Sequence, residues 1–226
     1  SSNSLTGKIP FELGSLNKLE KLNIFPNNLT GEIPASMWNL SSLDVLSVAR
    51  NKLEGSISED IGHLTRLSVL AIVDNNFFGM LPSSLYNMSS LTYISAAKNQ
   101  MSRTQLPDNL FTTLPNLQYF AIGSNQISSS IPTSITNASF LQLFDIGVNN
   151  FVGKVPSLGS LKDLQVLNLN YNNLGNSSNH DLDFITSSEN CTKLENLILS
   201  TNKFGGLLPN SISNLSTQLI RLYLGG

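Results

Sequence analysis

One phrase recurs through this chain at a nearly fixed period. Leu19-x-x-Leu22-x-Ile24-x-x-Asn27-x-Leu29-x-Gly31-x-Ile33-Pro34 returns as Leu43, Leu46, Val48, Asn51, Leu53, Gly55 and Ile57, with Ser58 in place of Pro. It returns again as Leu67, Leu70, Ile72, Asn75, Phe77, Gly79, Leu81 and Pro82. The framework asparagines Asn3, Asn27, Asn51, Asn75, Asn99, Asn125, Asn149, Asn172 and Asn202 follow one another at 24, 24, 24, 24, 26, 24, 23 and 30 residues. A unit this short cannot bury an apolar face by itself, so the period predicts coils that stack on one another.

The pattern within one period predicts the shape of each coil. Leu-x-Leu alternation places two side chains on one face of a short strand, toward the core. The framework Asn stands where the chain leaves that strand, and its amide can both donate to and accept from the backbone of the turn. Gly and Ile-Pro then shape an extended return segment, and Pro fits where no ladder bond is needed. A shorter apolar pattern such as Met37, Leu40 and Leu43 closes the coil outside. The expectation is an α/β solenoid, one array over residues 1–226 with about nine repeats. A parallel sheet lines its concave face, with short helical or 3-10 and extended segments on the outer face. Nine strands at roughly 4.8 Å spacing span about 40 Å.

Composition narrows function by exclusion. Charged residues make up 12% of the chain, with 13 basic against 15 acidic and a net charge of −2. That balance argues against a nucleic-acid or anionic-membrane surface, which needs clustered Lys and Arg. Polarity comes instead from 28 Asn and 33 Ser, beside 38 Leu. No run of about 18 apolar residues occurs. The lone Cys191 rules out an internal disulfide and leaves the redox compartment open. No phosphate-cradling Gly loop, nucleophile elbow or paired-Cys zinc site is present, and neither His is placed to serve a triad. No catalytic residue, metal site or cofactor is expected. His180, Asp181, Asp183 and Glu189 lie in a polar insertion without ligand geometry.

The repeat, with its Leu-x-Gly-x-Ile-Pro extension, resembles the plant-type leucine-rich repeat over essentially the whole chain. The stretch Asp181-Leu182-Asp183-Phe184-Ile185-Thr186-Ser187-Ser188-Glu189-Asn190-Cys191-Thr192 and the phrase from Leu208 to Ser216 are similar to the subfamily of plant receptor kinases containing the flagellin and EF-Tu receptors. Ser188 departs from the Leu of that subfamily. It takes the place held elsewhere by Met37, Ile61, Leu85, Phe111, Ile135, Leu158 and Ile212, which predicts a weak repeat there. The resemblance implies an extracellular ligand-sensing array, at the cell surface by way of the secretory pathway, followed by a membrane helix and a cytoplasmic Ser/Thr kinase. It implies a peptide or protein elicitor as ligand, in plant defence, and a leucine-rich repeat co-receptor kinase as second partner. The alternative within recognition proteins is a secreted inhibitor of microbial cell-wall hydrolases. The sequence starts inside one repeat and stops inside another, so a middle segment, uncapped at both ends and with exposed apolar edges, is expected.

Two sets of candidate sites remain. Seven Asn-x-Ser/Thr sequons stand at Asn28, Asn39, Asn87, Asn137, Asn176, Asn190 and Asn214. Five of them, Asn39, Asn87, Asn137, Asn190 and Asn214, share one repeat phase, which predicts glycans on the outer or flanking surface and none on the concave face. Cys191 takes a place filled elsewhere by Leu, Met or Ala and is expected to be a buried, inert thiol. On the concave face, repeat alignment puts Val45, Val69, Tyr93, Tyr119, Leu143 and Val166 in one outward column. Asp145 lies in the next, and a lane of small residues such as Ala97, Gly123 and Gly147 comes after it. The ligand-binding candidates are Val69, Tyr93, Tyr119, Leu143, Asp145 and Val166, as a groove for an extended peptide. Strand propensity for Val and Tyr accounts for the column equally well. Arg50, Asp74 and Lys98 on successive coils predict cross-strand ion pairs.

Overall fold

The computed structural model describes residues 3–226. Nine short strands pair in chain order into one parallel sheet: Lys21–Asn23, Val45–Ser47, Val69–Ala71, Tyr93–Ser95, Tyr119–Ala121, Leu143–Asp145, Val166–Asn168, Asn196–Ile198 and Arg221–Tyr223. Equivalent residues stand side by side, as in Val69↔Tyr93↔Tyr119↔Leu143↔Val166. The middle residue of each strand points inward, and Leu46, Leu70, Ile94, Phe120, Phe144, Leu167 and Leu197 are all buried. Alternation along three residues therefore fixes which two side chains of each coil face outward.

The outer side is built from 3-10 turns at Phe11–Ser15, Ala35–Asn39, Glu59–His63, Ser83–Asn87, Thr133–Asn137 and Asn210–Asn214, with short α-helices at Leu110–Thr113 and Asp183–Ser187. Pro10, Pro34, Pro82, Pro132 and Pro209 immediately precede 3-10 turns, where a fixed φ is already suitable and no N–H is required. Ser58 stands in that place once and caps its turn instead, accepting from the Asp60 N–H at 3.1 Å. Glu59 reaches the next coil and accepts from the Ser83 and Ser84 N–H groups, each at 2.8 Å. Those bonds, Ser84 first, outweigh its desolvation and hold its carboxyl below the usual range. Phe111, Phe120 and Phe144 form the aromatic heart of the core, with ring centroids 5.8–6.1 Å apart.

The framework asparagines explain why the coils stay in register. Asn149 is buried; its Oδ1 accepts from the Ile127 N–H at 2.9 Å, while its Nδ2 donates to the Ile122 and Ile146 carbonyls. The same three-way bridge recurs at Asn51, Asn75, Asn99, Asn125, Asn172 and Asn202. Each amide ties the end of its own strand to the end of the previous one and to the turn beyond it. The residue just before the framework Asn takes a left-handed conformation at Arg50, Asp74, Lys98, Ser124, Val148, Tyr171 and Thr201, although none is glycine.

Two expectations need correction. The extended return segments are not free of ladder bonds: Thr6–Gly7, Asn28–Gly31, Lys52–Gly55, Asn76–Gly79 and Gln100–Met101 form a second parallel sheet. Each framework amide pins the start of the previous coil's segment, so neighbouring segments lie close enough to pair. Proline falls after the paired stretch. In the Asn99 coil Arg103 replaces the segment-ending glycine and adopts its positive φ, and the five-stranded sheet ends there. The Arg50, Asp74 and Lys98 column makes no ion pairs. Among the described residues the pairs are His180–Asp183 and Lys193–Asp163, and Arg50 lies instead over the Phe25 ring, 5.3 Å from its centroid. Ser188, at a place elsewhere apolar, is fully buried with its hydroxyl donating to the Phe184 carbonyl at 2.8 Å.

Candidate functional site

The outward column of the concave sheet forms a half-exposed ridge, running Val45, Val69, Tyr93, Tyr119, Leu143 and Val166 on adjacent strands. Tyr93 and Tyr119 stack with ring centroids 4.2 Å apart and planes 15° from parallel. Parallel pairing in exact register brings the rings together, since neighbouring strands stand about 4.8 Å apart. Burial, then the neighbouring Tyr93 hydroxyl and the Asp145 charge, push the Tyr119 phenol up to about 12. Tyr119 is therefore a neutral hydrogen-bonding group at physiological pH.

Next to the ridge, the column of Ala71, Ser95 and Ala121 is small, with Ser95 and Ala121 buried, and the lane of Ala97, Gly123 and Gly147 runs beside it. Asp145, Asn168 and Asn170 crowd the glycines of that lane. A Cβ placed on Gly123 would meet Asp145 Oδ1 at 2.9 Å, and one on Gly147 would overlap Asn170 Oδ1 and crowd Asn168 Nδ2. The glycines leave room for polar side chains from the following strand, so the expected shallow lane ends in a polar wall. Asp145 Oδ1 accepts from the Gly147 N–H at 2.9 Å. Burial raises the Asp145 carboxyl above its ordinary value, against opposing bonds from Gly147 and Asn168. Past the wall, Val148 and Tyr171 are exposed apolar side chains in left-handed backbone.

All seven sequon asparagines, Asn28, Asn39, Asn87, Asn137, Asn176, Asn190 and Asn214, are exposed. Asn39, Asn87, Asn137, Asn190 and Asn214 each end a 3-10 turn, on the stretch leading back toward the next concave strand. Asn28 lies at the start of a second-sheet strand and Asn176 in the insertion, so none of the seven is a concave strand residue. Cys191 is fully buried with Sγ 3.3 Å from the Leu158 carbonyl, and burial pushes its thiol up to about 11. It is an unreactive core residue.

Two features carried no clear sequence signal. Asp181 is buried, and its Oδ2 accepts from the Asn176, Ser178 and Gly205 N–H groups at 3.0–3.1 Å. Desolvation raises its carboxyl, but these backbone bonds together prevail and leave it below the usual range. Asp181 is thus committed to ordering the insertion. The second feature is a hollow of about 550 Å³ on the second-sheet flank, between Gln105–Asp108 and Ser128–Ser130. It opens where the repeats lack the segment-ending glycine and contains no part of the ridge. No helix among the described residues is long and apolar enough to cross a membrane.

A succession of coils with an asparagine ladder, a long parallel sheet on one side and short helical turns on the other defines a solenoid repeat protein. The profile of the leucine-rich repeat region matches residues 2–202, and that of a single leucine-rich repeat matches residues 193–215, so the chain belongs to the leucine-rich repeat family. It is 44% identical over 116 residues to a probable LRR receptor-like serine/threonine-protein kinase of Arabidopsis thaliana, covering 51% of this chain and 12% of that protein. It is 49% identical over 65 residues to the LRR receptor-like serine/threonine-protein kinase EFR of the same species, covering 29% and 6%. Among solved structures, the Arabidopsis receptor kinase HAESA, in complex with the peptide hormone IDA and the co-receptor SERK1, superposes with a TM-score of 0.88 at 30% identity, over 98% of this chain and 36% of that one. The chain therefore spans a small part of the curated relatives it matches.

Proposed function

We propose that this chain is part of the extracellular ligand-recognition region of a plant cell-surface receptor-like Ser/Thr kinase, and that it captures a peptide or protein elicitor in innate immunity. The observation that carries the reading is the half-exposed ridge of Val69, Tyr93, Tyr119, Leu143 and Val166, continuous across five concave strands. A contiguous apolar and aromatic stripe on a rigid sheet is suited to an extended ligand, with side chains reading pockets beside it. The resemblance of the Asp181–Thr192 stretch to the subfamily of the flagellin and EF-Tu receptors supports a defence role, the kinship with LRR receptor-like serine/threonine-protein kinases supports a receptor kinase, and the HAESA complex supports a peptide ligand and a co-receptor. Ligand seated on the ridge would recruit a shorter co-receptor with related repeats, and proximity of the two kinases inside the cell would start signalling.

Aromatic side chains carry a disproportionate share of interface energy. Replacing both Tyr93→Ala and Tyr119→Ala should weaken ligand binding by more than about tenfold, or about 1.4 kcal/mol. Loss of the stacked pair should lower stability by only about 1 kcal/mol. Titration of both proteins with a peptide selected on the wild type, with melting temperature as folding control, tests this. Unchanged affinity in the folded double variant would leave the ridge as strand chemistry alone.

A further inference from the structure

The concave strands from Val45 to Ile198 present fourteen outward side chains, and Asp145 is the one that carries a charge. No cation within the chain answers it: neither of the two ion pairs among the described residues includes Asp145. Its partners are the Gly147 N–H and the side chain of Asn168. A partly buried carboxylate without a counter-charge is unfavourable to folding, and a neutral residue of similar shape would avoid that cost. Tyr119 stacks one face on Tyr93 and has Leu143 beside the other, and Asp145 is close enough for its charge to act on the Tyr119 phenol. A carboxylate without a counter-charge beside an aromatic pair is the complement of a flat, donor-rich cation.

We propose that Asp145, beside the Tyr93–Tyr119 pair, forms a subsite for a basic side chain of the bound peptide, arginine in preference to lysine. This rests on the reading that the concave ridge holds an extended peptide, and it specifies one feature of that peptide. A guanidinium would donate to the Asp145 carboxylate from beside the Tyr93–Tyr119 rings. Arginine is favoured because its planar fork pairs with a carboxylate through two parallel hydrogen bonds, whereas an ammonium is a point charge.

The test uses a phage-displayed library of linear twelve-residue peptides, selected on the secreted wild-type chain and on the Asp145→Asn variant. Wild type should enrich peptides with arginine at a constant place, and Asp145→Asn should lose that preference while melting no lower than wild type. Replacing that arginine by neutral citrulline should weaken binding to wild type by about tenfold and to Asp145→Asn by less than about twofold, because removing either partner removes the same interaction. Should Asp145→Asn fail to fold, Asp145→Ser takes its place in the cycle. Enriched peptides without a basic residue, or an equal citrulline loss in both proteins, would overturn the subsite and leave the ridge as the binding surface. Selection of no peptide, or peptides indifferent to Tyr93→Ala with Tyr119→Ala, would overturn the ridge itself and the subsite with it.

Discussion

Asn149 shows how much one side chain can do in a solenoid. Its amide meets three backbone groups from two coils and the turn between them, all out of water. Asn149→Leu keeps the volume but leaves the Ile127 N–H without a partner, which should cost about 1–3 kcal/mol. A thermal or denaturant melt of wild type against Asn149→Leu checks this, and equal midpoints would remove the bridge from the account. The asparagine positions and their need for backbone partners were legible in the sequence, because their spacing is regular and an amide can donate and accept. The polar wall was not. A column of Gly and Ala reports the size of its own side chains and says nothing of Asp145, Asn168 and Asn170 reaching over it from the next coil. The left-handed backbone at Val148 was equally hidden, since a β-branched residue rarely adopts it.

Among the elements, strands were easier to read than the segments after them. Leu-x-Leu alternation names its own buried face, so all nine concave strands and their outward columns follow from it. The second sheet arises from bonds between coils that leave no period of their own, and for that reason it reads in sequence only as extended chain. The insertion from Gly175 to Glu189 is a similar case, held by Asp181 through backbone N–H groups of its own loop and of Gly205 in the following coil. The sign of its pH dependence follows from the lowered carboxyl. The ionised form stabilises the fold fully above the unfolded value of about 3.9, and that contribution fades as pH falls through it toward the lower folded value. Wild type should therefore lose more stability than Asp181→Asn between neutral pH and about pH 3. Melting temperatures of the two across that range decide it; parallel curves would mean that Asp181 does not organise the loop as an ion.

At the scale of the whole molecule the coil has distinct faces with different tasks. Framework positions that are buried mid-array are exposed at the last strand, where Leu222 is 39% exposed against 0% for Leu197. Between the ends, the concave sheet offers the aromatic ridge, while five exposed sequons recur along the approach to it and none lies on a concave strand. That division is the centre of the account, and a sugar placed on the wrong face tests it most directly. Val69→Asn with Ala71→Thr writes an acceptor site into the ridge at Asn-Leu-Thr, one strand from Tyr93. Secreted from eukaryotic cells, the wild type should be heavier than 24.6 kDa and shrink on deglycosylation, and the variant should carry one glycan more. The account predicts that the variant melts close to wild type and no longer binds the peptide the wild type selects. A variant shown by mass to carry the added glycan, folded and still binding with wild-type affinity, would contradict it.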